Sequence, residues 1–131
     1  MGVTHLVDTH ILLWLFSEPN RIPEYVRDAL ADRTNPLLVS SASALEIATK
    51  VRLGKLDAPG LVQTLPARLS ALDATSLPIT ADHALLAGSI SWAHRDPFDR
   101  LLVAQATLED ATFVTVDKTI ASLPVLRVLT W

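Results

Sequence analysis

Short apolar runs of strand length alternate with longer stretches of helical period along the whole chain. Residues 4–7 (Thr-His-Leu-Val) read as a strand ending at Asp8, and residues 9–16 as an apolar helical stretch closed by the Glu18-Pro19-Asn20 turn. Residues 23–32 carry Val26, Ala29 and Leu30 on one face, with Pro23 near the first turn, which marks a second helix. Leu37-Leu38-Val39 reads as a buried strand. Residues 43–53 return to helical period and stop at Gly54, placed at C′. A helix is predicted over 61–72, then a weak strand over 77–79, since Pro78 cannot donate to a ladder. Thr80 caps a helix running to about residue 90. Asp96-Pro97 opens the clearest helix, with Pro at N1 and Leu101, Leu102, Ala104, Gln105 and Leu108 keeping the period. Residues 112–116 read as a strand, Asp117 starts a short helical turn through Ala121, and 125–129 supply a last strand. Strands alternating with helices predict an α/β fold with a mainly parallel sheet between helical layers.

The 131 residues are read as one domain, 1–131, with one core and neither linker nor internal repeat. Half the residues are hydrophobic and the mean hydropathy is +0.34, yet unbroken apolar runs such as 11–16 are far too short to cross a bilayer. So much apolar surface on a small domain suggests an exposed patch kept for a partner. The first six residues have no basic segment and no long apolar stretch, so no secretory leader is expected. The absence of cysteine fits a reducing cytoplasm. A net charge of −3 with a pI near 5.7 argues against holding nucleic acid by general basicity, so any such contact must be local or metal-assisted.

Four carboxylates stand out by position. Asp8, Glu46, Asp99 and Asp117 each fall just past a predicted strand or in the first turn of a predicted helix, places that converge on one edge of a parallel sheet. Two unit charges about 4 Å apart repel by roughly 4 kcal/mol at an effective dielectric of about 20, so such a cluster calls for a cation. Mg²⁺ and Mn²⁺ prefer oxygen ligands and serve phosphoryl chemistry. Each acid also has a structural reading. Asp8 and Asp117 suit helix N-caps, and Ser43-Ala44-Leu45-Glu46 has the spacing of a capping box. Asp96 is a good N-cap before Pro97, while Asp99 at N3 favours the helix dipole. Thr9 and Thr115 set hydroxyls beside two of the acids. His5, His10, His83 and His94 follow no zinc spacing, and His10 is expected to pack near the first helix. Trp14, Trp92 and Trp131 are read as core or interface residues in preference to RNA-stacking ones.

Four motifs in order carry a family likeness. They are Leu6-Val7-Asp8-Thr9-His10, then Ser43-Ala44-Leu45-Glu46-Ile47-Ala48 followed by Lys50-Val51-Arg52-Leu53-Gly54-Lys55-Leu56, then His94-Arg95-Asp96-Pro97-Phe98-Asp99-Arg100-Leu101-Leu102-Val103-Ala104-Gln105-Ala106, and last Val114-Thr115-Val116-Asp117. Through them the chain resembles PIN-domain ribonucleases over nearly its whole length, and among these the VapC-type toxins of bacterial toxin-antitoxin pairs. The resemblance implies a three-layer α/β/α sandwich and a metal site of Asp8, Glu46 and Asp99, with Asp117 as a fourth, more distant acid and Thr115 as its hydroxyl neighbour. Asp96 then stands as a cap or supporting residue. It further implies hydrolysis of RNA phosphodiester bonds with Mg²⁺ or Mn²⁺, a cognate antitoxin protein, and a homodimer. The helix faces around Val26 to Leu30 and over 61–72 are candidates for that dimer, although core packing explains the same residues. Lys50, Arg52, Lys55, Arg95 and Arg100 flank the acid motifs and are candidate RNA contacts, of which Arg95 and Arg100 suit bidentate phosphate binding. The rival reading is a catalytically silent PIN-like module that binds RNA or a protein. A receiver-type phosphoryl acceptor is disfavoured, since no paired acids stand near a strand-end acceptor and no Asp-x-Asp motif occurs.

Overall fold

The computed structural model describes residues 2–131. Five strands, β1 (His5–Val7), β2 (Leu37–Ser40), β3 (Ala74–Leu77), β4 (Thr112–Val114) and β5 (Val128–Leu129), form one all-parallel sheet in the order β3-β2-β1-β4-β5. Seven helices flank it among the described residues: α1 (Thr9–Ser17), α2 (Glu24–Ala31), α3 (Ser41–Arg52), α4 (Leu61–Ala71), α5 (Ala81–Ser89), α6 (Pro97–Leu108) and α7 (Lys118–Ala121).

Both faces of the sheet's central strands are apolar, which is why they read as apolar runs instead of an alternation. Val7, Leu37, Val39 and Val114 pack on one face with Ile11 and Leu12 of α1, Val26 and Leu30 of α2, and Leu61, Leu65 and Leu69 of α4. Leu6 and Phe113 pack on the other with Leu102, Val103 and Ala106 of α6 and Ile120 of α7. The sheet therefore separates two apolar clusters where one core was expected, and the α/β/α sandwich follows from that. The dimer candidates Val26, Leu30, Leu61, Leu65 and Leu69 lie inside the protein's own core. They are unavailable to a second copy.

The strands read at 112–116 and 125–129 shorten to Thr112–Val114 and Val128–Leu129, and two other boundaries differ from the sequence reading. β3 precedes Pro78 instead of containing it: Ala74 pairs with Leu37 and Leu77 with Ser40, and the ladder stops where the N–H is missing. α3 starts at Ser41, capped by the Ser40 hydroxyl, which accepts from Ala42 N at 2.9 Å. The Ser43–Glu46 capping box therefore does not form, because Ser43 already lies inside the helix. Glu46 is left buried on the side of α3 that faces Asp8. At the other end Gly54 takes φ +72°, the left-handed C′ conformation that favours glycine.

The chain winds outward from β1 through β2 to β3, then returns to the other side of β1 with β4 and β5. The direction reverses between β1 and β4, and ligands of open parallel sheets bind outside the strand ends at such a switch point.

Candidate metal and catalytic site

Asp8 leaves β1 at the switch point and caps α1: Oδ1 accepts from Thr9 N at 2.7 Å. Its second oxygen crosses to the neighbouring strand, where Oδ2 accepts from Thr115 Oγ1 at 2.7 Å. Thr115 Oγ1 in turn accepts from Asp117 N at 3.0 Å, so one buried hydroxyl ties the loops after β1 and β4 together. On the other side of Asp8, Thr9 Oγ1 donates to Ser43 Oγ at 2.8 Å and fixes α3 against α1. That contact sets Glu46, one turn on, beside Asp8.

Asp8 and Glu46 are both 6% exposed. Burial pushes the Asp8 carboxyl up; the Thr115 hydroxyl, His10 and the Thr9 amide pull it down, and the Glu46 charge adds to the rise. Asp99, at N3 of α6, is pushed up to about 6, first by burial and then by Asp96 and Asp8, against the pull of His94. His94 Nε2 lies 2.6 Å from Asp99 Oδ2. Asp96 caps α6 through Oδ1, which accepts from Phe98 N at 2.8 Å and Asp99 N at 3.2 Å. Asp8, Glu46, Asp96 and Asp99 therefore act on one another as charges, the state that a cation relieves. Asp117 is apart: its Oδ1 accepts from Thr119 N at 2.9 Å to cap α7, and its link to the others runs through its backbone N–H.

The protein's own cation in this cluster is Lys50. Its Nζ donates to Glu46 Oε2 at 2.7 Å, and its pKa is raised first by that bond and further by the charges of Glu46, Asp96 and Asp99. Among the described residues no three His, Asp or Glu side chains are gathered tightly enough to enclose an ion as they stand. The donor set nevertheless fits Mg²⁺ or Mn²⁺, since buried, mutually repelling carboxylate oxygens are what a hard divalent cation prefers.

The raised Asp99 pKa has a thermodynamic sign. Its folded value of about 6 lies above the ordinary value of 3.8, so ionisation is costlier folded than unfolded. The penalty is absent below about pH 4, grows as pH rises to about 6 and is constant above. In metal-free buffer Asp99→Asn is therefore expected to melt progressively higher than wild type between pH 4 and pH 6.5. Saturating Mn²⁺ is expected to reverse that order. Melting temperatures of both proteins across this range, with chelator and with Mn²⁺, check it.

Arg100 is not a phosphate contact. Its Nε donates to Ala87 O at 2.7 Å, Nη1 to Trp92 O at 2.8 Å and His94 O at 2.9 Å, and Nη2 to Ile90 O at 2.7 Å. The guanidinium fork is filled by the backbone of the irregular segment 90–95, which it holds against α6. Trp92 stacks on His94 there, ring centroids 4.6 Å apart, and behind Trp92 lies the second apolar cluster. Arg52, Arg95 and Lys55 are exposed, and no ion pair engages them among the described residues. His10 is exposed on α1, not packed, whereas Trp14 packs on the first cluster beneath the Arg21 guanidinium.

The sequence profile of the PIN domain matches residues 5–126. The chain belongs to the PIN domain family. Its fold is similar to that of a chain in the Rickettsia felis VapBC2 complex bound to a promoter DNA fragment, with a TM-score of 0.73, 21% identity and coverage of 98% of this chain and 99% of that one. It is also similar to DNA-bound VapBC from Salmonella typhimurium, with a TM-score of 0.75, 17% identity and 98% coverage of both chains. VapBC-1 from nontypeable Haemophilus influenzae aligns with a TM-score of 0.71, 18% identity and the same coverage. At these identities the likeness concerns the fold. No curated protein matches the sequence.

In this PIN domain, therefore, the fold brings Asp8, Glu46, Asp96 and Asp99 together and joins Asp117 to them only through Thr115. Two site residues escaped the sequence reading in their actual roles. Ser43 has the spacing of a cap yet is the hydroxyl partner of Thr9, and His94, outside any zinc spacing, holds Asp99. The five-residue step from His94 to Asp99 is the one local signal for the latter, since it spans the cap at Asp96.

Proposed function

We propose that this PIN domain is a metal-dependent ribonuclease that hydrolyses RNA phosphodiester bonds, the toxin component of a toxin-antitoxin module. The observation that carries the reading is three buried or half-buried carboxylates, Asp8, Glu46 and Asp99, facing one another at the switch point of a PIN fold. Asp8, Glu46 and Asp99 would hold the cation, Asp117 a more distant role, with Thr9, Thr115 and Asp96 supporting them. Bound Mg²⁺ or Mn²⁺ would neutralise the carboxylates, make a water nucleophilic and stabilise charge on the phosphate oxygens. The chain's own residues do the positioning. Thr9 N and Thr115 Oγ1 fix both oxygens of Asp8, while His94 fixes one oxygen of Asp99. Lys50, which now donates to Glu46, would be available to a substrate phosphate where a cation took over Glu46. A cognate antitoxin protein is the regulatory partner this reading requires.

The silent-module reading draws on one observation: each core acid already has a partner within the chain, and Lys50 supplies the counter-charge. The two readings separate in one experiment. Purified protein is expected to cut single-stranded RNA with Mg²⁺ or Mn²⁺ and to stop when chelator is added, with Mn²⁺ binding seen by calorimetry. RNA binding without cleavage, together with no heat of Mn²⁺ binding, would establish the silent module.

A further inference from the structure

The acid cluster opens sideways onto a recess between α1 and the C-terminal end of α3. It is a cavity of about 160 Å³, below the roughly 300–1,000 Å³ of a drug-sized pocket, and so admits a single ring system. Leu13, Ile47 and Leu56 form its apolar floor, and His10, Lys50 and Lys55 its rim. One of these rim residues reaches the acids directly: Lys50 Nζ bonds Glu46 Oε2. Thr9 lines the same cavity while its amide holds Asp8. The recess and the acid cluster thus share walls.

We propose that this recess is a nucleotide subsite, taking the base of the RNA residue next to the scissile phosphate on its apolar floor and the following phosphate on Lys55. The proposal rests on the ribonuclease reading above and names where its substrate lies. Charge complementarity selects the occupant. The chain carries a net charge of −3, so a polyanion needs a local cationic track, and Lys50 and Lys55 supply one at the edge of the acids. Lys55 is exposed and without an ion-pair partner among the described residues, so its ammonium is available. A base fits the floor because its faces are flat and largely apolar, and covering Leu13, Ile47 and Leu56 with one removes apolar surface from water without demanding a sequence. A duplex does not fit: its bases are stacked inside, so the substrate at this position is single-stranded.

Lys55→Glu tests the rim, and Arg33→Glu controls for net charge. Arg33 is exposed in the turn before β2, at the opposite edge of the sheet from the acids, where it pairs with Asp73. Binding of a labelled ten-nucleotide single-stranded RNA would be measured by anisotropy in Ca²⁺, which binds oxygen ligands with looser geometry than Mg²⁺. Lys55→Glu is expected to raise Kd about tenfold and to lower the salt slope of log Kd by about 0.7, the value of one single-strand phosphate contact. Arg33→Glu is expected to change Kd less than twofold. A single abasic nucleotide scanned along the ten-mer is expected to weaken wild-type binding at one position beside the cut. Equal effects of the two charge reversals, or no sensitive abasic position, overturn the subsite. The ribonuclease reading stands or falls separately, on whether wild type cuts RNA in Mg²⁺ or Mn²⁺ and chelator stops it.

Discussion

Asp8→Asn is expected to abolish metal-supported RNA cleavage while leaving the metal-free protein as stable as wild type or more so. Second-layer partners of metal ligands cost about 10–100-fold in affinity or activity when removed, and Asp8 stands closer to the proposed cation than any such partner. A loss of at least about 100-fold in kcat/KM is therefore the floor. Stability moves the other way because the wild-type carboxylate is held at a cost: it is 6% exposed, and burial raises its pKa despite hydrogen bonds from Thr9 and Thr115. Asparagine removes the buried charge and keeps an oxygen for the Thr9 amide. Its NH₂ group must turn to the Thr115 hydroxyl as acceptor, which the hydroxyl can satisfy by rotating. Cleavage assays paired with melting curves in chelator check both halves. A variant that loses cleavage and melts well below wild type would make Asp8 a helix cap first and a ligand second.

Arg100→Ala is expected to destabilise the protein by roughly 3 kcal/mol, a fall in Tm of about 10 °C for a domain of this size. Charge-assisted hydrogen bonds contribute about 1.5–3 kcal/mol each, and Arg100 makes four to backbone carbonyls of residues 87, 90, 92 and 94. The sum is discounted because the segment lies partly at the surface and water replaces some of the lost donors. Lysine restores less than half, since one ammonium with three donors cannot fan across four carbonyls as the planar guanidinium does. Arg127, whose pairing with Asp110 is exposed, supplies the contrast: Arg127→Ala is expected to cost less than about 1 kcal/mol. Calorimetric melting of the three variants checks the ranking. The Arg100 variants also loosen His94, whose carbonyl the guanidinium holds, and with it the contact to Asp99, so Mn²⁺ affinity is expected to fall in step with Tm.

Arg100 shows how far reading along the chain reaches. It is a cation beside Asp96 and Asp99 in sequence, and nothing local separates a phosphate contact from a clasp on four carbonyls. Arg100 lies on the exposed-looking side of a helix until α5 and the 90–95 segment fold back over it. The same limit applies to Glu46. The spacing from Ser43 fits a capping box, but Ser40 and Ser41 precede it with equal capping chemistry. Which serine caps is decided by where β2 ends, and β2 runs to Ser40 because its ladder with β3 continues through the Ser40–Leu77 pair. β3 carries little sequence signal because Thr75 and Ser76 are polar and exposed on an edge strand and Ala74 is small and only partly buried.

By itself the sequence determined the order and type of the elements, the parallel sandwich and the strand-end positions of Asp8 and Asp117. Those features are local: a period of 3.6 or an apolar run bounded by turn residues is written in neighbouring residues, and a sheet buried on both faces leaves its strands uniformly apolar. The sequence also determined that Asp8, Glu46 and Asp99 sit in motifs like those of PIN domains, to which the chain belongs. Only the tertiary structure decided which groups meet. Thr115 on Asp8, Ser43 on Thr9, His94 on Asp99 and the recess beside Lys50 join segments up to 107 residues apart, and side-chain contacts across such distances depend on strand order and helix registry, which no local pattern encodes.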